Sequence, residues 1–299
     1  MRKIVSVIFV CLIACAVSSQ NKISYFGIEG SAYAQWHYDN TDLTDSKAGA
    51  GAELTLGYHF QKERFIFTVG LSAAFASTRL GVQTGDEAML LPATDSRGVD
   101  YRMVVDMKNR VDRSRTMDIR LPLLFGMDIN NWYWLAGPVF VANLRGNTLQ
   151  TAEIRTKGRY DRYYEDLVNL PQHGFHDFEK IESKGSMKFL YDARLAVEGG
   201  YTFHFSGSRL GSHASSSNAL RVGLFAEFGL NNIRPSSSKA LLTGQVLDEN
   251  GKLTVTMNHA YSSHSTDNNW VRTALVGVRL TYMIRLKIRQ GNYCPCHKL

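Results

Sequence analysis

The chain has 299 residues, of which 44% are hydrophobic and 11% aromatic, with 25 glycines, 6 prolines and a mean hydropathy of -0.20. Past the first twenty residues no apolar run approaches the roughly 20 residues that a membrane helix needs, which excludes a helical membrane protein but not a barrel, whose membrane signal is hidden by alternation. The net charge of +7 does not mark a nucleic-acid binder, because basic and acidic residues are interleaved and not gathered in one stripe.

Residues 1–19 read as an export signal: Arg2 and Lys3, an apolar run from Ile4 to Val17, then small residues, with cleavage after Ser18 or Ser19. Leu12-Ile13-Ala14-Cys15 also fits a lipobox, which would make Cys15 a lipidated terminus. A barrel domain then spans 20–291 and a short tail 292–299. Cys294 and Cys296 in that tail are too close for a relaxed disulfide and too sparse for a metal site.

From Ile23 to about Tyr38, Phe26, Ile28, Ala32, Ala34 and Trp36 share one face, and Glu29, Ser31, Tyr33, Gln35 and His37 the other. That is the period-2 pattern of a strand between two solvents. A second strand, Ala48 to Phe60, sets Leu54, Leu56, Tyr58 and Phe60 against Glu53, Thr55 and His59; a third, Arg64 to Leu80, carries Phe65, Phe67, Val69, Leu71 and Phe75 outward. The clearest unit is Met117 to Leu144, two strands joined at Asn130-Asn131. Trp132, Tyr133 and Trp134 stand at its turn like an interfacial girdle, and each strand exceeds the roughly 9 to 11 residues needed to cross a bilayer. Three more strands follow at Phe189–Phe205, Ala219–Asn231 and Trp270–Ile288, each alternating in the same way.

The connections alternate in length. Asp39–Lys47, Gly81–Arg113, Gly146–Lys188 and Asn232–Asn269 are the odd ones; Gln61–Glu63, Asn130–Asn131 and Ser206–Asn218 are the even ones. Short periplasmic turns and longer external loops are the habit of bacterial outer-membrane barrels, so both termini are expected in the periplasm. The expected fold is all-β: a transmembrane antiparallel up-and-down barrel of eight strands with long external loops, in the outer membrane of a Gram-negative bacterium. A soluble β-sandwich and a ten-stranded barrel are the alternatives.

Eight strands make a barrel that side chains can fill. The inward face carries six carboxylates, Glu29, Glu53, Asp118, Asp192, Glu198 and Glu227, and four guanidiniums, Arg120, Arg194, Arg221 and Arg279. Near-balanced charge in a confined lumen predicts a paired polar plug in preference to an ion path. Catalysis at the rim would draw on His259, Ser262, Ser263 and His264, or on His173, His176 and Asp177, but no spacing ties these to a strand edge as chemistry requires. His173-x-x-His176 is too sparse for a metal site, and no motif calls for a cofactor. Function is therefore expected in the long loops. Tyr101, Met103, Val105 and Met107 alternate as though strands continue above the membrane, and Asp248-Glu249-Asn250-Gly251 between Leu241–Val246 and Lys252–Met257 is a hairpin signal. Tyr160, Arg162, Tyr163 and Tyr164 are the anchors expected for a partner.

The hairpin LPLLFGMDI and WYWLAGPVFVANL (Leu121–Ile129 and Trp132–Leu144) resembles the I-P-L-L-x-K and L-x-A-G-P-x-x-x-x-L hairpin of the outer-membrane β-barrel family common in Bacteroidetes, which includes PorT-like proteins. The cysteine-bearing tail is similar to tails in that group. Gly277–Tyr282 is similar to the last-strand signal read by the barrel-insertion machinery, although Leu275 stands where that pattern prefers a polar residue. The resemblance implies outer-membrane lipid and lipopolysaccharide as surroundings, the insertion machinery as a partner, and, through the PorT branch, a link to secretion and another surface or secretion protein.

Overall fold

The computed structural model describes residues 22–40, 44–83, 89–95, 97–162, 165–170, 175–205, 218–235, 241–246, 253–262 and 270–286. The export signal, the Cys294 and Cys296 tail and the Asp248–Gly251 turn lie outside these residues.

Thirteen strands are described: β1 Lys22–Asp39, β2 Thr44–Lys47, β3 Gly49–Lys62, β4 Phe65–Val82, β5 Met89–Thr94, β6 Asp100–Ile129, β7 Trp132–Arg159, β8 Glu179–Ser186, β9 Asp192–His204, β10 Ala219–Gly229, β11 Leu242–Val246, β12 Leu253–Met257 and β13 Val271–Leu286. Eight of them, β1-β3-β4-β6-β7-β9-β10-β13, pair antiparallel in chain order, and β13 closes onto β1. Stepping across paired residues from Ala34 in β1 through Val276, Ala226, Val197, Ala136, Phe125, Phe67 and Phe60 returns to β1 at Ser24, ten residues from the start. That stagger tilts the strands by about 40° and fixes a narrow barrel.

Burial is inverted relative to a water-soluble protein. Leu54, Leu71 and Leu224 are 60%, 60% and 66% exposed, while Glu53, Arg120, Glu227 and Thr281 are buried. A sandwich hides its apolar face; here that face forms the outer wall, as hydrocarbon requires. Six of the eight wall strands coincide with the expected ones to within a few residues, the two of the central hairpin run far past Met117 and Leu144, and a ten-stranded ring is excluded by the closure of β13 on β1. The turns are tight. Asn130 and Asn131 take φ of 55° and 71°, a pair of left-handed residues that a two-residue hairpin demands, and Glu63 takes 54°.

The long connections depart from the loop expectation. β6 begins at Asp100 and β7 runs to Arg159, so the central hairpin rises well beyond the wall, and β5 and β8 add to its edges. The Gly81–Arg113 connection, expected as a loop in which Tyr101 to Met107 alternate like a strand, is strand from Asp100 onward, and its alternation resumes on either side of each interruption. Two bulges adjust its phase. One extra residue between Lys108 and Val111, with Asn109 at φ 52°, moves the inward set from Tyr101, Met103, Val105 and Met107 to Arg110, Asp112 and Ser114. The second, on β7 opposite Met117 and Asp118, leaves Leu144 and Arg145 both exposed.

Candidate functional site

The lumen is filled by one connected set of side chains. Arg279 lies 2.7 Å from Glu198, 3.7 Å from Glu29 and 3.8 Å from Glu53. Arg120 lies 3.1 Å from Glu53 and 3.7 Å from Glu227, and Arg194 reaches Glu227 at 3.3 Å and Asp192 at 2.7 Å. Asp118 sits apart from the arginines and accepts a bond from the Asn143 amide at 2.7 Å. Arg221 has no ion pair among the described residues; its Nε donates to Thr202 Oγ1 at 3.3 Å and its guanidinium lies 4.9 Å from the Tyr133 ring. All ten predicted lumen residues are thus buried on the inner face, eight of them in one ion-pair chain.

Three further members escaped the charge-based reading: His59, whose Nε2 is 3.1 Å from Glu29, and two tyrosines, Tyr33 accepting from Arg120 at 2.8 Å and Tyr133 donating to Glu198 at 2.8 Å. The signal was present, since all three fall on the inward phase of their strands. Glycine makes room for the rings. A Cβ on Gly51 would lie 2.2 Å from the Tyr33 ring, and one on Gly223 would lie 2.2 Å from Tyr133 Oη.

Toward the long-connection end the plug gives way to a polar cavity of about 20 Å³ lined by Gln35, His37, Asp118, Asn143, Asp192 and Thr273 among others. Above it the mouth is stopped by the fourth long connection. Its 3-10 turn at Ala260–Ser262 is buried among Leu80, Val82, Met187, Phe189, Ile233 and Val271. A buried pair secures it: Arg110 Nε is 2.9 Å from Asp112 Oδ1, Asp112 Oδ2 accepts from the Ala260 amide at 2.8 Å, and Arg110 donates to the Asn258 and Leu241 carbonyls. The first bulge is what aims these two side chains inward.

The rim residues considered for catalysis are fixed in other ways. Ser262 Oγ donates to the His259 main-chain carbonyl at 2.8 Å, and His259 Nδ1 accepts from the Tyr261 amide at 3.3 Å, so the hydroxyl and the imidazole are not partners. Burial holds the His259 imidazole below its ordinary pKa. Asp177 accepts from the Phe178 amide at 2.8 Å, an ordinary turn contact, and His176 is exposed beside Glu179 at 3.8 Å. Ser263, His264 and His173 lie outside the described residues.

Beyond the mouth the long connections form a cap with its own core. β11 and β12 pair as expected and lay Leu242 and Met257 against Val105, Met107, Ala152 and Ile154. Nearer the tip Tyr101, Met103, Tyr160 and Phe175 form a second cluster, with Tyr101 and Tyr160 stacked at 4.9 Å. Tyr160 is therefore a buried support and not a surface anchor. Its ring is consumed by the stack because the chain turns back there to bring Phe175 under Gly158. Arg162 is exposed, and Tyr163 and Tyr164 lie outside the described residues. Asp166 takes a two-pronged contact from Arg159 at 2.8 and 2.9 Å, which holds its carboxyl below the usual range. At the tip an open cleft of about 350 Å³ is lined by Pro92, Thr94, Asp100, Tyr101, Arg102 and Asp161.

No family model and no curated protein matches the chain. Among solved structures, Ail, the attachment invasion locus protein of Yersinia pestis, crystallised with the heparin analogue sucrose octasulfate, shares 9% identity at a TM-score of 0.27 and covers 89% of this chain and 100% of its own. Neisserial surface protein A shares 10% identity at a TM-score of 0.24, covering 86% of this chain and 96% of its own. Similarity at that level carries no argument, and the fold rests on the closed ring and its inverted burial.

Proposed function

We propose that this chain is a non-catalytic outer-membrane barrel whose cap docks a partner outside the cell: a surface protein, a glycan, or a subunit of a secretion or uptake assembly of the PorT-like kind. The observation that carries this is the central hairpin, which continues past the membrane wall as paired strands and supports a two-cluster core. A loop that only covered a barrel mouth needs no second core, since Ala260–Ser262 already stops the mouth. Long ordered connections of this kind are usually functional. The tip cleft, lined by Arg102 and Asp161 with the exposed Arg162 next in the chain, is the surface for that contact.

The test is site-specific photo-crosslinking in intact cells. Probes at Arg102, Arg162 and Val168 should give a discrete adduct, and probes at Leu71 and Leu224 on the wall should not. A folded, inserted protein with no adduct from any cap position would overturn the reading. A rim hydrolase is the competing reading; the Ser262 geometry argues against it, and His259→Ala with Ser262→Ala should leave partner crosslinking intact.

A further inference from the structure

Above the apolar wall on one side of the barrel stand five exposed cations from adjacent strands: Lys47 on β2, Arg79 on β4, Arg113 and Arg115 on β6, and Arg145 on β7. They are neighbours by register. Lys47 pairs with Arg79, Arg79 with Arg113, Ser77 with Arg115, and Met117 with Arg145. Like charges set directly opposite one another repel, so an anion that bridges them removes a destabilising contact. Among the described residues none of the five has an ion pair. Asp45, two residues from Lys47, is an exposed carboxylate at the margin of the patch.

The height of the patch identifies what neutralises it. Arg115 lies four residues beyond Ile119 on the same outward face, about 13 Å along the strand, and Arg79 lies four beyond the exposed Phe75. The cations therefore begin where the hydrocarbon-facing side chains stop. Across the barrel the same level is aromatic: Tyr38 and Trp270 meet at 5.6 Å, and Tyr191 is fully outward. On that side the cations are spread among aromatics, with Arg272 over the Trp270 ring at 4.8 Å, whereas on the β2-β4-β6-β7 side they stand next to one another. Guanidinium clusters at headgroup height suit phosphate, which they bind through two parallel hydrogen bonds.

We propose that the β2-β4-β6-β7 wall holds the phosphate groups of an anionic glycolipid of the outer leaflet, through Lys47, Arg79, Arg113, Arg115 and Arg145. The proposal rests on the outer-membrane reading for the choice of lipid. It does not involve the cap, so crosslinking at the cap and lipid retention at the wall can fail independently.

Purified full-length protein in detergent is incubated with diphosphorylated lipid A, and retention is read by native mass spectrometry. The expected result is retention of the diphosphorylated lipid and not of its dephosphorylated form. Arg79→Gln/Arg113→Gln/Arg115→Gln/Arg145→Gln should bind at least about tenfold more weakly, whereas the corresponding four-lysine variant and Lys180→Gln/Lys184→Gln on β8 should retain it. The glutamine variant should keep its heat-modifiable migration and melt no lower than the unsubstituted barrel, because opposed like charges have been removed. Equal retention by the glutamine variant, equal retention of dephosphorylated lipid, displacement by inorganic phosphate at the lipid's concentration, or a lowered melting point would each overturn the proposal.

Discussion

At the scale of residues, the lumen shows why pairing and not charge count governs a buried network. Arg120 is fully enclosed and serves Glu53 and Glu227 at once. Arg120→Met removes one cation but leaves two carboxylates without it, and a broken buried pair costs about 3–5 kcal/mol. The denaturant midpoint of the folded barrel in detergent should fall accordingly, and adding Glu53→Leu should recover part of the loss. The ten charged members of this network were legible in the sequence because charge on the inward phase of a membrane strand has one explanation. Tyr33 and His59 were legible as inward positions but not as partners of these charges, and Tyr133 reads as a girdle aromatic beside Trp132 and Trp134, since each residue type is at home on either face. In the cap, Asp166 gives a pH prediction. Its carboxyl is depressed by the Arg159 fork, so the stability it adds is complete above the ordinary carboxylate pKa and is lost as pH falls through its depressed value. Hydrogen exchange of residues 165–170 should rise on acidification below that range, and Asp166→Asn should exchange fast at every pH.

Elements carried the membrane strands plainly and the cap poorly. A wall strand alternates between hydrocarbon and a polar lumen, the strongest period-2 contrast a sequence offers. Above the wall both faces meet water or a thin core, and the contrast fades: Arg113 and Arg115 look like loop although β6 passes through them without a break. The bulges add a second obstacle, because one inserted residue reverses the phase and splits a single strand into two apparent fragments. Asn109 is the inserted residue of the first bulge. With β6 anchored in the wall below, deleting Asn109 alone closes the bulge and keeps Met107 in phase with Arg110, whereas deleting Lys108 and Asn109 together joins Met107 directly to Arg110 and turns Tyr101, Met103, Val105 and Met107 outward, since a one-residue shift moves a whole set to the opposite face. In the double deletion the cap should become sensitive to added protease on intact cells while the barrel keeps its heat-modifiable migration. Survival of the cap to the same protease dose would show that its clusters do not depend on this register.

For the whole molecule, plug, mouth and cap form one column over a fixed wall, and each layer is held by groups from several strands. Such a column blocks the lumen. Purified protein in planar bilayers should show no steady large conductance, and Arg110→Met, which releases the carbonyls of Leu241 and Asn258, should expose a cysteine placed at Ser262 without opening a current. Orientation is the remaining global property, and the connection lengths and strand phases bear on it together. If the short turns face the periplasm, Asn131 is shielded from the outside and Val168, 49% exposed in the cap, is not. The phases that place Ile119, Leu195, Leu224 and Leu280 toward lipid keep Arg120, Arg194 and Arg279 out of it, and a basic side chain at the midplane would cost roughly 2–4 kcal/mol. In a background with Cys294 and Cys296 replaced, Val168→Cys should react with a membrane-impermeant thiol reagent on whole cells. Asn131→Cys should react only after lysis, and the reverse pattern would invert the barrel and move the cap, with its proposed partner, to the periplasm.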